Sequence, residues 1–171
     1  MEIIKSQIKG IYRDELTDAG GQLIYQSDWK SNTIVESCRI FLARVMSTGN
    51  INTSFLGIKA LEVGRGQANW DPDKTPPPTE SQTQLVDTAA TITALTINYL
   101  DLNDQIVQID GDPTSRIQIR ATLEAGEALP LREFGLIGQI DNQDYLLNYV
   151  THAVIHKDQL TTLTRTIRLY F

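Results

Sequence analysis

Arg116-Ile117-Gln118-Ile119-Arg120-Ala121-Thr122-Leu123 decides the fold. Its apolar residues fall on every second position, the period at which successive side chains of an extended chain point to opposite faces. The stretch therefore predicts a strand with one dry and one wet face. The same period governs the chain on both sides, so that Thr91 to Leu100, Leu131 to Ile140, Tyr145 to Ile155 and Thr161 to Phe171 also read as strands. Turn-forming clusters, Asp110-Gly111-Asp112-Pro113 and Asp141-Asn142-Gln143-Asp144, separate them. Upstream, Ile8 to Leu16 and Gln22 to Trp29 alternate around Thr17-Asp18-Ala19-Gly20-Gly21, which predicts a β-hairpin within residues 1–30. Ser54 to Val63 is rich in strand formers and runs into Gly64-Arg65-Gly66, where two glycines permit a tight turn.

Two segments break the two-residue period. Ile34, Cys38, Phe41, Leu42 and Val45 recur at the spacing of one helical face, predicting an amphipathic helix over about residues 33–47. Thr33 with Glu36 forms a capping box at its start, and Gly49 supplies a left-handed stop at its end. Residues 69–84 carry Pro76, Pro77 and Pro78 and almost no apolar side chain except Trp70, which excludes regular structure and predicts an extended, polyproline-like arm. The expected fold is α+β and mainly β: one antiparallel β-sandwich-like domain over residues 1–171, with a single helix and a long Pro-rich loop.

Composition excludes several classes. At 171 residues and 41% hydrophobic, the chain can bury roughly 70% of its unfolded surface around one core. Its net charge of -6, with the basic residues scattered, argues against nucleic acid as a partner, because such affinity comes from clustered Lys and Arg. No stretch reaches the roughly 18 apolar residues of a membrane helix, so direct membrane insertion is not expected. Glu2 and Lys5 flank only Ile3 and Ile4, which lacks a signal-peptide core and predicts a chain used without Sec export. The single Cys38 has no partner for an internal disulfide, so stability must come from packing or from neighbouring subunits.

Each candidate for chemistry has a structural reading beside it. His152 and His156, four apart in a strand, share a face at about 13 Å separation, too far to chelate one metal. Cys38 on the apolar helix face reads as core rather than nucleophile. Gly64-Arg65-Gly66 lacks the Gly-Lys-Ser/Thr and the following helix of a phosphate loop. Asp101, Asp104, Asp110 and Asp112 lack the glycine and terminal glutamate of a calcium loop and read as turn chemistry. No carboxylate pair is singled out for glycoside hydrolysis. No catalytic residue, cofactor or metal follows from these patterns. Glu133 differs: it sits in Leu131-Arg132-Glu133-Phe134-Gly135-Leu136-Ile137, an otherwise apolar strand, and a buried carboxylate must find donors. The expected donors are backbone amides of the Gly64 to Gly66 turn or of the proline loop. Arg132 could pair with Glu133 only if strict alternation fails there.

Taken in order, Val63-Gly64-Arg65-Gly66, the proline segment leading to Thr83-Gln84-Leu85, Glu133-Phe134-Gly135-Leu136-Ile137 and a terminal β-hairpin resemble the N-terminal module of phage tail-collar and tail-fibre proteins and related baseplate-peripheral subunits of contractile injection systems. The likeness covers roughly residues 30–171. It departs from the family pattern at Asp87, where a Glu is usual, and at Phe134, where the family carries Ala. The resemblance implies a structural, non-enzymatic subunit that acts as a baseplate-peripheral or fibre-attachment adaptor, resident in a virion or injection-system particle assembled in the bacterial cytoplasm. Other tail or baseplate proteins and fibres are the implied partners, with a homo-oligomer, a trimer among its forms, as the implied assembly. The interface candidates are Gly64, Gly66, Trp70, Pro76, Pro77, Pro78, Thr83, Leu85, Glu133 and Gly135. A proline arm suits such a contact because an extended segment enters it with much of its conformational entropy already lost, and Trp70 offers a large anchor. A reading from another class is a carbohydrate- or surface-binding β-module in which Trp29, Trp70 and the tyrosines stack on a ligand.

Overall fold

A computed structural model describes residues 7–47, 56–107 and 113–171. Among these residues eleven strands and one helix follow one another as β1 (Lys9–Thr17), β2 (Leu23–Gln26), β3 (Lys30–Ile34), α1 (Glu36–Ser47), β4 (Leu56–Gly64), β5 (Thr88–Ile92), β6 (Leu95–Tyr99), β7 (Arg116–Leu123), β8 (Leu129–Ile140), β9 (Gln143–Leu146), β10 (Asn148–Lys157) and β11 (Thr162–Tyr170). The strands pair in the order β5-β4-β8-β10-β3-β1-β11-β7-β6, with β2 added to β1 and β9 to β8, every pair antiparallel. The mainly-β expectation with one helix holds. Its sandwich-like layering takes the form of one nearly closed, barrel-like sheet with two facing walls. One wall is β5-β4-β8-β10 and the other β3-β1-β11-β7-β6, and only Asn148↔Ile34 and Tyr149↔Thr33 join them along β10 and β3. On the far side β5 leads into β6 through Thr93 and Ala94, so consecutive strands lie on different walls.

The alternation of Arg116–Leu123 translates directly: Ile119 and Ala121 are buried and Arg120 is exposed. Their neighbours across the wall are Ile167 and Arg165 of β11, which continue the inward row. The interior is filled by one cluster that includes Tyr12, Leu61, Ile119, Leu131, Phe134 and Ile167. A second, smaller cluster of Val35, Ala60, Leu85, Ile137, Leu146 and Tyr149 packs separately.

Several boundaries differ from the sequence reading. The helix begins at Glu36, because Thr33 and Ile34 belong to β3 and pair with β10; Thr33 is therefore not its cap. The Glu36 amide instead donates to the Glu80 carbonyl at 2.7 Å, so the proline segment supplies an acceptor for that helix end. The predicted helix stop at Gly49 and the turn residues Asp110, Gly111 and Asp112 lie outside the described residues, as do Ser54 and Phe55 of the predicted strand. Thr91–Leu100 splits into β5 and β6, and Tyr145–Ile155 into β9 and β10, each at a bend between walls or pairing partners. The return strand of the N-terminal hairpin stops at Gln26 and restarts at Lys30, leaving Trp29 between strands. At the hairpin turn Asp18 Oδ1 accepts from the amides of Gly20 and Gln22, both at 2.9 Å, and Gly21 takes φ 80°. The β8–β9 turn puts both Asp141 and Asn142 at positive φ, 49° and 64°, as a two-residue hairpin of matching twist requires.

Candidate functional site

Glu133 lies on β8 where the inward parity changes. Leu129 and Leu131 pack in the main cluster, and so do Phe134 and Leu136, so the strand does not alternate strictly across Arg132-Glu133. Arg132 does not become the partner of Glu133: its Nη1 donates to the Gln67 carbonyl at 2.8 Å. The Glu133 carboxylate, at 0% exposure, faces Gly64 across the β4–β8 pairing. The missing side chain makes the approach possible, since a Cβ on Gly64 would stand 2.5 Å from Oε1 and 2.6 Å from the Asp87 carbonyl oxygen. Oε1 accepts from the amides of Gly66 (3.1 Å) and Asp87 (2.8 Å), and Oε2 from the amide of Val86 (3.0 Å) and the Tyr149 hydroxyl (2.6 Å). With two donors on each oxygen the carboxylate's acceptor sites are filled, which is how a charge survives burial. Burial raises the Tyr149 phenol's pKa, and the bond to Glu133 raises it further, so the hydroxyl stays protonated and donating.

The neighbouring glycines are fixed by the same junction. Gly66 takes φ 64°, and a Cβ there would meet the Trp70 ring at 2.3 Å, so the indole lies directly on this backbone. A Cβ on Gly135 would stand 2.4 Å from Leu146 and 2.7 Å from the Asn148 carbonyl oxygen, with Leu85 at 3.2 Å. Gly64, Gly66, Trp70, Leu85, Glu133 and Gly135 therefore converge on one place, as does the amide of Asp87. Pro76, Pro77, Pro78 and Thr83 lie elsewhere along a strap that crosses the molecule's own surface. Its carbonyls accept from Val154 N–H at Pro72 (2.9 Å), from Thr151 Oγ1 at Pro76 (2.6 Å) and from Glu36 N–H at Glu80. Arg39 adds an ion pair to Glu80 at 3.3 Å, exposed on both sides. Pro76, Pro77 and Thr83 are exposed and Pro78 is half-buried.

A second buried polar group was not singled out from sequence. Asp14 of β1 and Arg165 of β11 are direct cross-strand neighbours, both pointing into the interior. Arg165 Nε donates to Asp14 Oδ1 at 2.5 Å and Nη2 to Oδ2 at 3.1 Å, and Nη2 also stands 3.2 Å from His152 Nε2. The guanidinium lies 3.8 Å from the centre of the Phe134 ring. His152 Nδ1 is 2.8 Å from the Ala153 carbonyl oxygen, so Nδ1 carries the proton and Nε2 accepts from Arg165. Burial pushes the His152 pKa down to about 4, and Arg165 pushes it the same way. His156 does not share its face: β10 bulges between Thr151 and Ile155, which buries His152 and leaves His156 exposed. Asp14, Tyr25, Lys30, His152 and His156 border an open cleft of roughly 400 Å³ between the two walls. The signal existed in the sequence, since Asp14 shares parity with Tyr12, and Arg165 with Leu163, Ile167 and Leu169.

Among the described residues no three His, Cys, Asp or Glu side chains are grouped to hold a metal ion, and no helix is long and apolar enough to cross a membrane. Burial pushes the Cys38 thiol up to about 11, which keeps it protonated within the core. Trp29 and Trp70 are both engaged internally. The guanidinium groups of Arg13 and Arg168 lie over the Trp29 ring at 4.9 and 4.4 Å, and Trp70 lies against Gly66. Compared with known protein families, curated proteins and solved structures, the chain matches none of them.

Proposed function

We propose that the chain is a structural subunit of a phage tail or contractile injection system, attached at the baseplate periphery or at a fibre through protein–protein contacts. What supports this reading is the convergence at Glu133. The Gly-x-Gly turn, the segment after Thr-x-Leu and the Glu-x-Gly strand are the parts whose order carries the resemblance. One carboxylate bonds Gly66, Val86 and Asp87 together, and Gly135 lies against Leu85 in the same junction. Such a junction holds the strap in a fixed path across β10 and the start of α1, where its exposed prolines form a preformed contact surface. The partners are other tail or baseplate proteins and fibres, the working form is a homo-oligomer, and the location is the assembled particle.

The test is purification of the tagged chain from its bacterial host, with imaging of whatever co-purifies. Tail or injection particles that carry the tag, and lose it when residues 69–82 are deleted from a chain that still folds, are the expected result. A tagged chain absent from every particle, or normal incorporation of the deletion, overturns the reading.

A further inference from the structure

The two walls part just beyond the pairs that join them. β3 leaves the edge of β1 after Asn32 to meet β10 at Thr33 and Ile34, and β2 takes up the same edge of β1 farther along. Across from β2, β10 bulges between Thr151 and Ile155, and among the described residues no strand pairs with it on this side beyond Tyr149. What remains is the open cleft of roughly 400 Å³, within the range of about 300–1,000 Å³ usual for small-ligand sites. Its apolar surface comes from both walls, Leu16 from β1 and Ala153, Val154 and Ile155 from the bulge. The buried floor is already satisfied: each Asp14 carboxylate oxygen accepts from Arg165, and the two ring nitrogens of His152 are engaged by Arg165 and by the Ala153 carbonyl. The rim is not. Tyr25, Lys30 and His156 are exposed and line it from opposite sides, and none of their side chains has a hydrogen-bond or ion-pair partner among the described residues. Burial and Arg165 hold the His152 pKa down, and Lys30 acts in the same direction, which places its ammonium within electrostatic reach of the floor.

We propose that this cleft binds a small carboxylate with an aliphatic body, its head group on Lys30 and Tyr25 and its chain against Leu16, Val154 and Ile155. The head group follows from the hydrogen-bonding inventory. An ammonium only donates and a phenol donates readily, while the acceptors of the floor already have donors, so the free side chains ask for an acceptor. Charge points the same way. Asp14 and Arg165 cancel as a pair, which leaves Lys30 as the uncompensated charge on the lining. A neutral ligand leaves that ammonium without a counter-charge, and a cation is repelled by it. The aliphatic body follows from the apolar residues, whose surface it removes from water. Bound in this way the ligand touches β2 and β3 on one wall and β10 on the other. It ties the walls where strand pairing does not, and stabilises the fold by mass action. Glu133 and the exposed Pro76 and Pro77 lie outside the cleft, so binding here and docking on a particle are separate properties.

The experiment is an NMR titration of the full chain, with isotope-labelled Ile, Leu and Val methyl groups, against hexanoate, hexanol and hexylamine at neutral pH. Hexanoate is expected to shift the methyls of Leu16, Val154 and Ile155 saturably at millimolar concentration. It should bind about fivefold more tightly than hexanol, the ratio that one partly exposed charge pair supplies, and hexylamine should bind more weakly than either. Lys30→Met keeps the apolar stem and should bring hexanoate to the level of hexanol, while Lys30→Arg restores the difference. Lys30 is exposed, and unshifted methyls of Ile119 and Leu136, away from the lining, verify that each variant is folded. If Lys30→Met unfolds the chain, Lys30→Gln serves in its place with the same readings. A melting temperature that hexanoate raises more in wild type than in the uncharged variant is the second measurement. No saturation at the cleft methyls overturns the inference. So does equal affinity for hexanoate and hexanol, and so does hexanoate binding that is unchanged by Lys30→Met. Failure to find the chain in particles leaves these titrations untouched, so the two conclusions fall separately.

Discussion

Glu133→Ala removes the one acceptor shared by four donors, and the structure sets the size of the effect. Gly66 N–H and Tyr149 O–H are fully buried, and each loses its acceptor with no water to replace it, at about 1–3 kcal/mol apiece. The amides of Val86 and Asp87 are only half-buried and regain water, so they add about 0.5–1 kcal/mol each. The sum, about 3–8 kcal/mol, is a large part of the roughly 5–15 kcal/mol that holds a typical domain folded. Glu133→Gln keeps the shape. With its amide oxygen in the Oε1 place it still accepts from Gly66 and Asp87, and the Tyr149 hydroxyl can rotate to accept from its NH₂ group. Only Val86 N–H then faces a donor, so the cost falls to about 2 kcal/mol. Tyr149→Phe removes one charge-assisted bond, about 1.5–3 kcal/mol. Urea unfolding followed by circular dichroism and tryptophan fluorescence measures all three. Amide hydrogen exchange at Gly66, Val86 and Asp87 should quicken in Glu133→Ala before the rest of the sheet responds. A cost below about 1 kcal/mol for Glu133→Ala, or equal costs for Ala and Gln, would refute the assignment of Glu133 as the acceptor that closes the junction.

Gly66→Ala forces a side chain into a positive-φ position already covered by Trp70, and a loss of about 2 kcal/mol with a red-shifted tryptophan emission is expected; unchanged emission and stability would show that the indole does not lie there. For His152 the folded pKa, about 4, is below the ordinary 6.5, so the fold favours the neutral ring. That contribution is complete above about pH 6.5 and is lost as pH falls toward about 4, where the loss amounts to about 3 kcal/mol. Urea midpoints measured between pH 7 and pH 4 should therefore drop more for wild type than for His152→Gln; parallel curves would remove His152 from the acid response.

Much of the sheet was legible because its strands alternate. Arg116–Leu123 and Thr162–Tyr170 each carry one apolar parity, and nothing local competes with it. The breaks were less visible. Thr93-Ala94 and Leu147 carry no turn signature, and the chain bends there because neighbouring strands sit on different walls, a tertiary cause. Thr33 and Glu36 have the spacing of a capping box, yet pairing of Thr33 with Tyr149 claims the residue for β3. Glu133 could be read because a carboxylate among apolar neighbours needs donors, and the nearest glycine turn offered them. Tyr149 as the fourth donor was hidden, since its place beside Glu133 depends on the register of β10 against β8. Asp14 and Arg165 are each a lone charge on an apolar parity. They become a pair only when β1 and β11, 151 residues apart at this contact, are laid side by side.

The two buried polar centres do related work at the place where the walls are least well joined. Only two residue pairs connect β10 to β3, so hydrogen bonding between strands contributes little to holding the walls in register there. Side chains make up the difference. Arg165 on β11 reaches Asp14 on its own wall and His152 on the other, while Tyr149, itself in one of the two joining pairs, is bound to Glu133 and through it to the start of the strap's return. A buried ion pair is poor evidence for added stability, because desolvation offsets much of its Coulomb energy, and its better attested use is to select one arrangement over its near alternatives. Here the alternative is a slip of one wall against the other, which would part the Arg165 guanidinium from His152 Nε2 across the seam, while the bonds of Arg165 to Asp14 and of Glu133 to its donors hold each wall together from within. The strap crosses this seam by bonding Val154 and Thr151 of β10, and its carbonyl at Glu80 meets the first turn of α1. A load on its exposed prolines is thus carried into β10, β8 and the helix together rather than into one loose loop.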